Sequence, residues 1–134
     1  MTEIKSEPVE INNSPESIFD FVSDLTNLYD LLPQDKVDDW KGEKDQCSFK
    51  FQGAIKIKLV KESEEKPKFI KLISGEGSPV EFSLEISLEE IGENKTRVSQ
   101  RSEADLNPFM KMMAQKPLKK LFDHISMKLA EKMG

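Results

Sequence analysis

The chain has 134 residues, of which 37% are hydrophobic and 34% are charged. This length predicts one domain over residues 1–134, because two domains of half that size would each have a marginal core. The formal net charge of -5 argues against binding to nucleic acid, whose phosphate backbone requires clustered Lys and Arg. The charge is also unevenly divided, with a net charge of -8 over residues 1–104 and +3 over residues 105–134.

Cysteine content and hydropathy predict where the protein resides. Cys47 is the one cysteine, so it has no internal disulfide partner, and a lone thiol is typical of a reducing compartment. The first residues lack the basic segment and apolar core of a secretory signal. The sequence has no run of about 18 apolar residues, which a transmembrane helix would require. We therefore expect a soluble, cytoplasmic protein that does not insert stably into membranes.

The first part of the chain predicts one strand followed by two short helices. Residues 3–11 alternate loosely between polar and apolar side chains, as in a strand. Ser14, Pro15 and Glu16 then supply a helix cap, a proline at the first helical position and an acidic residue in the first turn. A second short helical segment over residues 25–32 ends before Pro33.

The middle of the chain predicts six antiparallel strands, because the hydrophobic period changes from near 3.6 to 2. The clearest run is residues 80–88, where every second side chain is apolar. Such alternation is typical of an antiparallel sheet with one face on a core and one in water. The other strands are expected near residues 37–41, 46–51, 55–59, 68–74 and 95–104, with a tight turn at Gly53.

The last segment predicts one long helix. Asn107 and Pro108 repeat the cap-then-proline signal, and apolar residues then recur at steps of three and four as far as Leu129. About 25 helical residues extend for nearly 40 Å, which is enough to cross a sheet. Met110 and Met113 lie near its start, where flexible thioethers are suited to an adaptable apolar wall.

This order of elements resembles the helix-grip fold of the START-like superfamily, also called SRPBCC, which includes birch-pollen-allergen-like proteins and polyketide cyclases/dehydrases. The resemblance is carried by the opening-helix segment 12–22, by Thr96-Arg97-Val98 and by the bridge 105–110. It implies an α+β fold in which a curved antiparallel sheet grips the C-terminal helix. It also implies a cavity for an apolar ligand between the two, although the superfamily includes proteins of many activities.

We therefore expect the chain to bind a small hydrophobic ligand that is lipid-like, isoprenoid or polyketide-like. If Val98 points inward, strict alternation places Thr96, Gln100 and Ser102 on the same face, where they meet each other, water or the polar end of a ligand. A shift in register would turn Arg101 inward instead. The candidate ligand-binding residues are Phe49, Phe51, Ile57, Phe82, Leu84, Ile86, Val98, Gln100, Met110, Met113 and Pro117.

No metal, cofactor or catalytic residue is predicted. His124 is the only histidine and lies far in sequence from Cys47, so a zinc site lacks ligands. No serine lies in a nucleophile-elbow motif. The glycines Gly75 and Gly77 are too few for a phosphate-binding loop and are better interpreted as a hairpin turn.

Two alternative functions remain open from the sequence. The first is a cyclase or dehydratase acting on a polyketide-like substrate, which would require an acid or base inside the pocket. The second is a protein-interaction module, of chaperone- or ribosome-associated type, whose partner the sequence does not name. Independently of these, the lysine-bearing face of the last helix allows transient contact with anionic lipid headgroups. Trp40 either packs across a sheet edge or borders the mouth of a pocket.

Overall fold

The computed structural model describes residues 2–78 and 80–134. Its elements follow the predicted order, with strands before and after a short helical region and one long helix at the end. The strands are β1 (Thr2–Lys5), β2 (Val9–Ile11), β3 (Val37–Gly42), β4 (Gln46–Phe51), β5 (Ile55–Glu65), β6 (Phe69–Ser74), β7 (Phe82–Gly92) and β8 (Lys95–Ala104). The helices are α1 (Pro15–Val22), two 3-10 helices (Leu25–Leu31 and Gln34–Lys36) and α2 (Pro108–Met133).

The strands form one antiparallel sheet in the order β1-β8-β7-β6-β5-β4-β3, with β2 also paired to β8. The expected first strand is therefore two strands, separated at Ser6, Glu7 and Pro8. Pro8 has no N–H to donate to a ladder. At the break, the Ser6 hydroxyl accepts a hydrogen bond from the Gln100 backbone N–H at 3.0 Å, which keeps β8 paired.

Strict alternation on β8 is confirmed. Thr96, Val98, Gln100, Ser102 and Ala104 are all buried on the inner face of the sheet. Arg101 lies on the opposite face, where its guanidinium contacts Glu3, Glu85 and Glu103. The alternative register with Arg101 turned inward is therefore wrong, because β7 and β8 pair without a shift from Phe82–Ala104 to Glu90–Thr96.

The helix α2 crosses the inner face of the sheet and contacts β1, β2, β8 and the first 3-10 helix. Its second half buries Leu121, Phe122, Ile125 and Leu129. Its end is fixed where the Asn13 side-chain amide donates to the Met133 carbonyl at 2.9 Å. The prediction of an α+β helix-grip architecture is thus confirmed. None of the helices in the described part of the chain is long and apolar enough to cross a membrane.

Asn107 provides a direct test of how α2 begins. Its side-chain oxygen accepts a hydrogen bond from the Met110 N–H at 2.8 Å. We expect Asn107→Ala to reduce the free energy of unfolding by about 1 kcal/mol, and Asn107→Asp to retain most of it because aspartate caps equally well. Chemical denaturation of the three proteins measures the difference. Equal losses in both variants would contradict the capping role.

Candidate functional site: a cavity between the sheet and the C-terminal helix

A cavity of about 500 Å³ lies between the inner face of the sheet and α2. This volume is within the range of pockets that enclose small molecules. Its floor comes from β4 to β8, its roof from α2, and one end from α1 and the first 3-10 helix. The walls are predominantly apolar, because most inward strand positions place an aliphatic or aromatic side chain against this space.

Nine of the eleven sequence-predicted residues line the cavity. They come from four strands and the first turns of α2, so the sheet and the helix bring together residues far apart in sequence. Their role in binding a ligand remains a prediction. They are Phe49, Ile57, Phe82, Leu84, Ile86, Val98, Gln100, Met110 and Met113.

Phe51 and Pro117 do not line the cavity. Phe51 pairs with Val37 and Ile55 at the end of β4 and is 2% exposed, so it is surrounded by solid core. Pro117 is half-buried on α2, but the helix presents Ala114 and Leu118 to the cavity instead.

The end wall of the cavity was not predicted from the sequence. Leu25, Leu28 and Leu31 of the first 3-10 helix line it together with Phe21 and Val22 of α1. The three leucines are spaced by three residues, which matches the three residues per turn of a 3-10 helix and places them on one face. That spacing was the signal available in the sequence.

The roof extends further along α2 than the predicted methionines. It continues along a stripe of apolar residues at steps of three and four. The sequence predicted this stripe as part of the helix but not as part of a binding site. These additional roof residues are Ala114, Leu118, Leu121, Phe122, Ile125 and Leu129.

The mouth of the cavity lies between the β4–β5 turn and the start of α2. Two sets of exposed residues line the cavity here. One set is Gln52, Ala54 and Lys56, and the other, across the opening, is Phe109 and Met113. Phe109 is 66% exposed and Met113 is 63% exposed. The opening is therefore bordered by large apolar side chains on the helix side.

The polar side chains on the inner face of β8 are held by other protein groups. The Thr96 hydroxyl donates to the Asn13 carbonyl and the Ser102 hydroxyl to the Ser83 carbonyl, both at 2.8 Å. The Gln100 amide nitrogen donates to the Phe122 carbonyl at 3.0 Å and to Ser126 Oγ at 2.7 Å. These contacts join β8 to its neighbours and to α2.

Ionisable groups are nearly excluded from the cavity. Within the described lining, Lys56 at the exposed mouth is the one ionisable side chain. His124 lies outside the lining and is half-buried, and burial is the main cause that lowers the pKa of its imidazole. Residues 2–78 and 80–134 contain no group of three or more His, Cys, Asp and Glu side chains suited to a metal ion.

Trp40 packs against aromatic neighbours and does not line the cavity. Its ring centroid lies 5.3 Å from that of Tyr29 and 6.1 Å from that of Phe49. Of the two roles left open by the sequence, the structure favours packing at the β3 edge.

The lysines of α2 partly face the acidic body of the protein. Lys119 Nζ lies 3.3 Å from a Glu7 carboxylate oxygen and 3.0 Å from one of Asp123, and Lys132 Nζ lies 3.9 Å from Asp30. These pairs are exposed, so each contributes little to stability.

Comparisons with known proteins bear on the fold. No protein-family model matches the chain, and no curated protein matches it. Solved structures do match over nearly its whole length. A START superfamily protein from Mycobacterium smegmatis is 15% identical with a TM-score of 0.76, over 98% of this chain and 96% of the other. The protein XoxI from Bacillus cereus is 15% identical with a TM-score of 0.77, over 99% and 96% respectively.

A third match is to a longer protein. The di-domain ARO/CYC BexL from the BE-7585A biosynthetic pathway is 12% identical with a TM-score of 0.72, over 98% of this chain and 46% of the other. At such identities these matches establish the fold and not the activity. The resemblance seen in the sequence is thereby confirmed at the level of fold, which is START-like.

A pair of isoleucines tests whether the cavity is hollow. Ile70 and Ile86 face each other across β6 and β7, but Ile70 is fully buried in solid core whereas Ile86 lines the cavity. We expect Ile70→Ala to lower the free energy of unfolding by about 2–5 kcal/mol, and Ile86→Ala to cost distinctly less because fewer atoms surround it. Chemical denaturation measures both, and equal costs would indicate a filled core.

Cys47 gives a prediction about pH. Burial raises the pKa of its thiol from 9.0 to about 12. The unfolded chain therefore releases this proton at lower pH than the folded chain, so stability falls as pH rises from 9 to 12. We expect wild type to lose stability relative to Cys47→Ala over that interval. Fast reaction of the native thiol with a disulfide reagent at pH 8 would contradict this burial.

Proposed function

We propose that this START-like chain binds a small hydrophobic molecule, lipid-like, isoprenoid or polyketide-like, in the cavity beneath α2. The observation that carries this proposal is a cavity of about 500 Å³ whose lining is almost wholly apolar. Apolar surface transferred from water into such a space gains roughly 25 cal/mol per Å². A protein that had no ligand would gain more stability by filling this volume with its own side chains.

The nine predicted lining residues are the proposed contacts on the floor and at the start of the roof. Met110 and Met113 are suited to ligands of varied shape, since an unbranched thioether adapts to its neighbour. The first 3-10 helix adds Leu25, Leu28 and Leu31 as an end wall. We propose that this wall limits the length of the bound molecule.

A cyclase- or dehydratase-type enzyme is a second candidate, favoured by the likeness in fold to the di-domain ARO/CYC BexL. Such chemistry requires an acid or base that reaches the substrate. Arg101, which the other register would have placed inside, is on the outer face with three glutamates. Within the described lining, Lys56 alone is ionisable, and it lies at the mouth. These placements support binding over acid–base catalysis.

A protein-interaction role is favoured by one observation, the exposed apolar side chains at the start of α2. Met112 is 77% exposed and lies beside Phe109 and Met113. However, an interaction module predicts little cavity, and this chain has a substantial one. Phe109 and Met113 also line the cavity, so we place these two side chains at its rim, where transient contact with a membrane surface would let an apolar ligand enter.

We also propose that residues 1–134 act as one domain in the cytoplasm. The pairing of β1 and β2 with β8, and the contact of α2 with β1 and β2, support the first part because they join the two ends of the chain. The single buried thiol of Cys47 supports the second.

A cavity-filling substitution tests the binding proposal. Ala114 lines the roof, so Ala114→Phe would place a ring in the space that a ligand needs. With the uncharged dye Nile red as probe, we expect saturable fluorescence enhancement for wild type and at least a tenfold weaker Kd for Ala114→Phe. The thermal midpoint should stay equal or rise, since the ring fills a cavity.

Met112→Phe is the matched control, because it places the same ring on an exposed part of the same helix outside the lining. We expect it to bind Nile red as wild type does. Absence of saturable binding by wild type, or equal weakening by both substitutions, would overturn the proposal.

A further inference from the structure

Gln100 is a buried polar residue of the cavity floor. It lines the cavity and is 4% exposed. Its side-chain nitrogen donates to the Phe122 carbonyl and to Ser126 Oγ. Because a backbone carbonyl only accepts hydrogen bonds, the nitrogen and not the oxygen of the amide must face Phe122. The orientation of the amide is thus fixed by α2.

This orientation leaves the Gln100 oxygen unpaired. Oε1 is buried and has no hydrogen-bond partner within the described part of the chain. A buried acceptor without a partner has lost its hydrogen bonds to water and gained none, which costs free energy. The neighbouring hydroxyls of Thr96 and Ser102 on the same strand face are both paired with carbonyls. Of these three side chains, Gln100 is thus the one with a buried oxygen that has no partner in the described residues.

We infer that the hydrophobic ligand is neutral and carries an O–H or N–H group that donates to Gln100 Oε1. This inference rests on the proposed function and narrows its ligand class. A ligand in the cavity is next to Gln100, and a donor on it would satisfy the oxygen without disturbing the contacts to α2. An alcohol, phenol or secondary amide has the required chemistry.

The same site disfavours other apolar molecules. A carboxylate would bring negative charge against an acceptor oxygen, far from the one lysine at the mouth. An ether or ketone has no hydrogen to donate, and a hydrocarbon leaves Oε1 unpaired. Selectivity for a ligand with a hydrogen-bond donor therefore distinguishes this site from a cavity that is lined only by apolar groups.

Two isomers provide the test, since 1-decanol and 1-methoxynonane have the same atoms but only the alcohol donates a hydrogen bond. Each is titrated below its aqueous solubility to displace Nile red, which carries no N–H or O–H group, from wild-type protein. We expect the alcohol to bind about tenfold more tightly, the effect of one recovered hydrogen bond to a buried acceptor.

Two variants assign the selectivity to Gln100. Gln100→Met keeps an unbranched side chain without the amide, and we expect it to bind both isomers with equal affinity. Ser102→Ala removes another polar group of the cavity floor, one whose hydroxyl is already paired, and should keep the tenfold preference. If Gln100→Met fails to fold, the wild-type comparison decides the inference by itself.

The outcomes separate this inference from the proposed function. Equal affinity of wild type for the two isomers would overturn the inference but would leave the proposed hydrophobic binding intact. This result is expected if a bound water already donates a hydrogen bond to Oε1. Retained selectivity in Gln100→Met, or its loss in Ser102→Ala, would overturn it as well. Failure of wild type to bind Nile red saturably would instead remove the proposed function.

Discussion

The inner face of the sheet is largely apolar from β4 to β8, and the helices that shield it from water are too narrow to cover it. Neighbouring strands are about 4.8 Å apart, and a helix with its side chains is about 10–12 Å wide. One helix therefore covers roughly two or three strands. The chain places α2 over one part and the first 3-10 helix over another. The cavity is the space that remains between these two helices above the sheet.

The position of α2 depends on polar contacts as much as on apolar burial. Leu121, Phe122, Ile125 and Leu129 bury its second half, but apolar contacts alone would allow the helix to slide. The bonds from Gln100 to Phe122 and Ser126, and from Asn13 to Met133, fix its register on the sheet. The same amide that anchors the helix keeps one buried oxygen that has no hydrogen-bond partner within the described residues.

Charge is segregated from the cavity. Arg101 and its three glutamates lie on the outer face of the sheet, and Lys119 and Lys132 of α2 contact acidic residues of the body. The net charge of -5 therefore describes the solvent-facing surface and says little about the binding space. The separation of charge from the apolar cavity is consistent with the proposed binding of a hydrophobic molecule there.

The sequence by itself determined the elements and their faces, because caps, prolines and periods of 2 and 3.6 are local properties of the chain. Ser14, Asn107 and the alternation of β7 and β8 are examples, and all hold in the structure. The break at Ser6, Glu7 and Pro8 was missed because loose alternation continues across it.

Only the tertiary structure decided which inward-facing residues meet empty space and which meet other side chains. Phe51 and Phe49 have the same pattern and the same strand face, yet Phe51 packs in solid core while Phe49 lines the cavity. The unpaired oxygen of Gln100 could not be predicted from the sequence either. The side-chain amide is oriented by the Phe122 carbonyl, which lies 22 residues further along the chain. Periodicity assigns a side chain to a face, whereas its surroundings depend on how distant elements pack over that face.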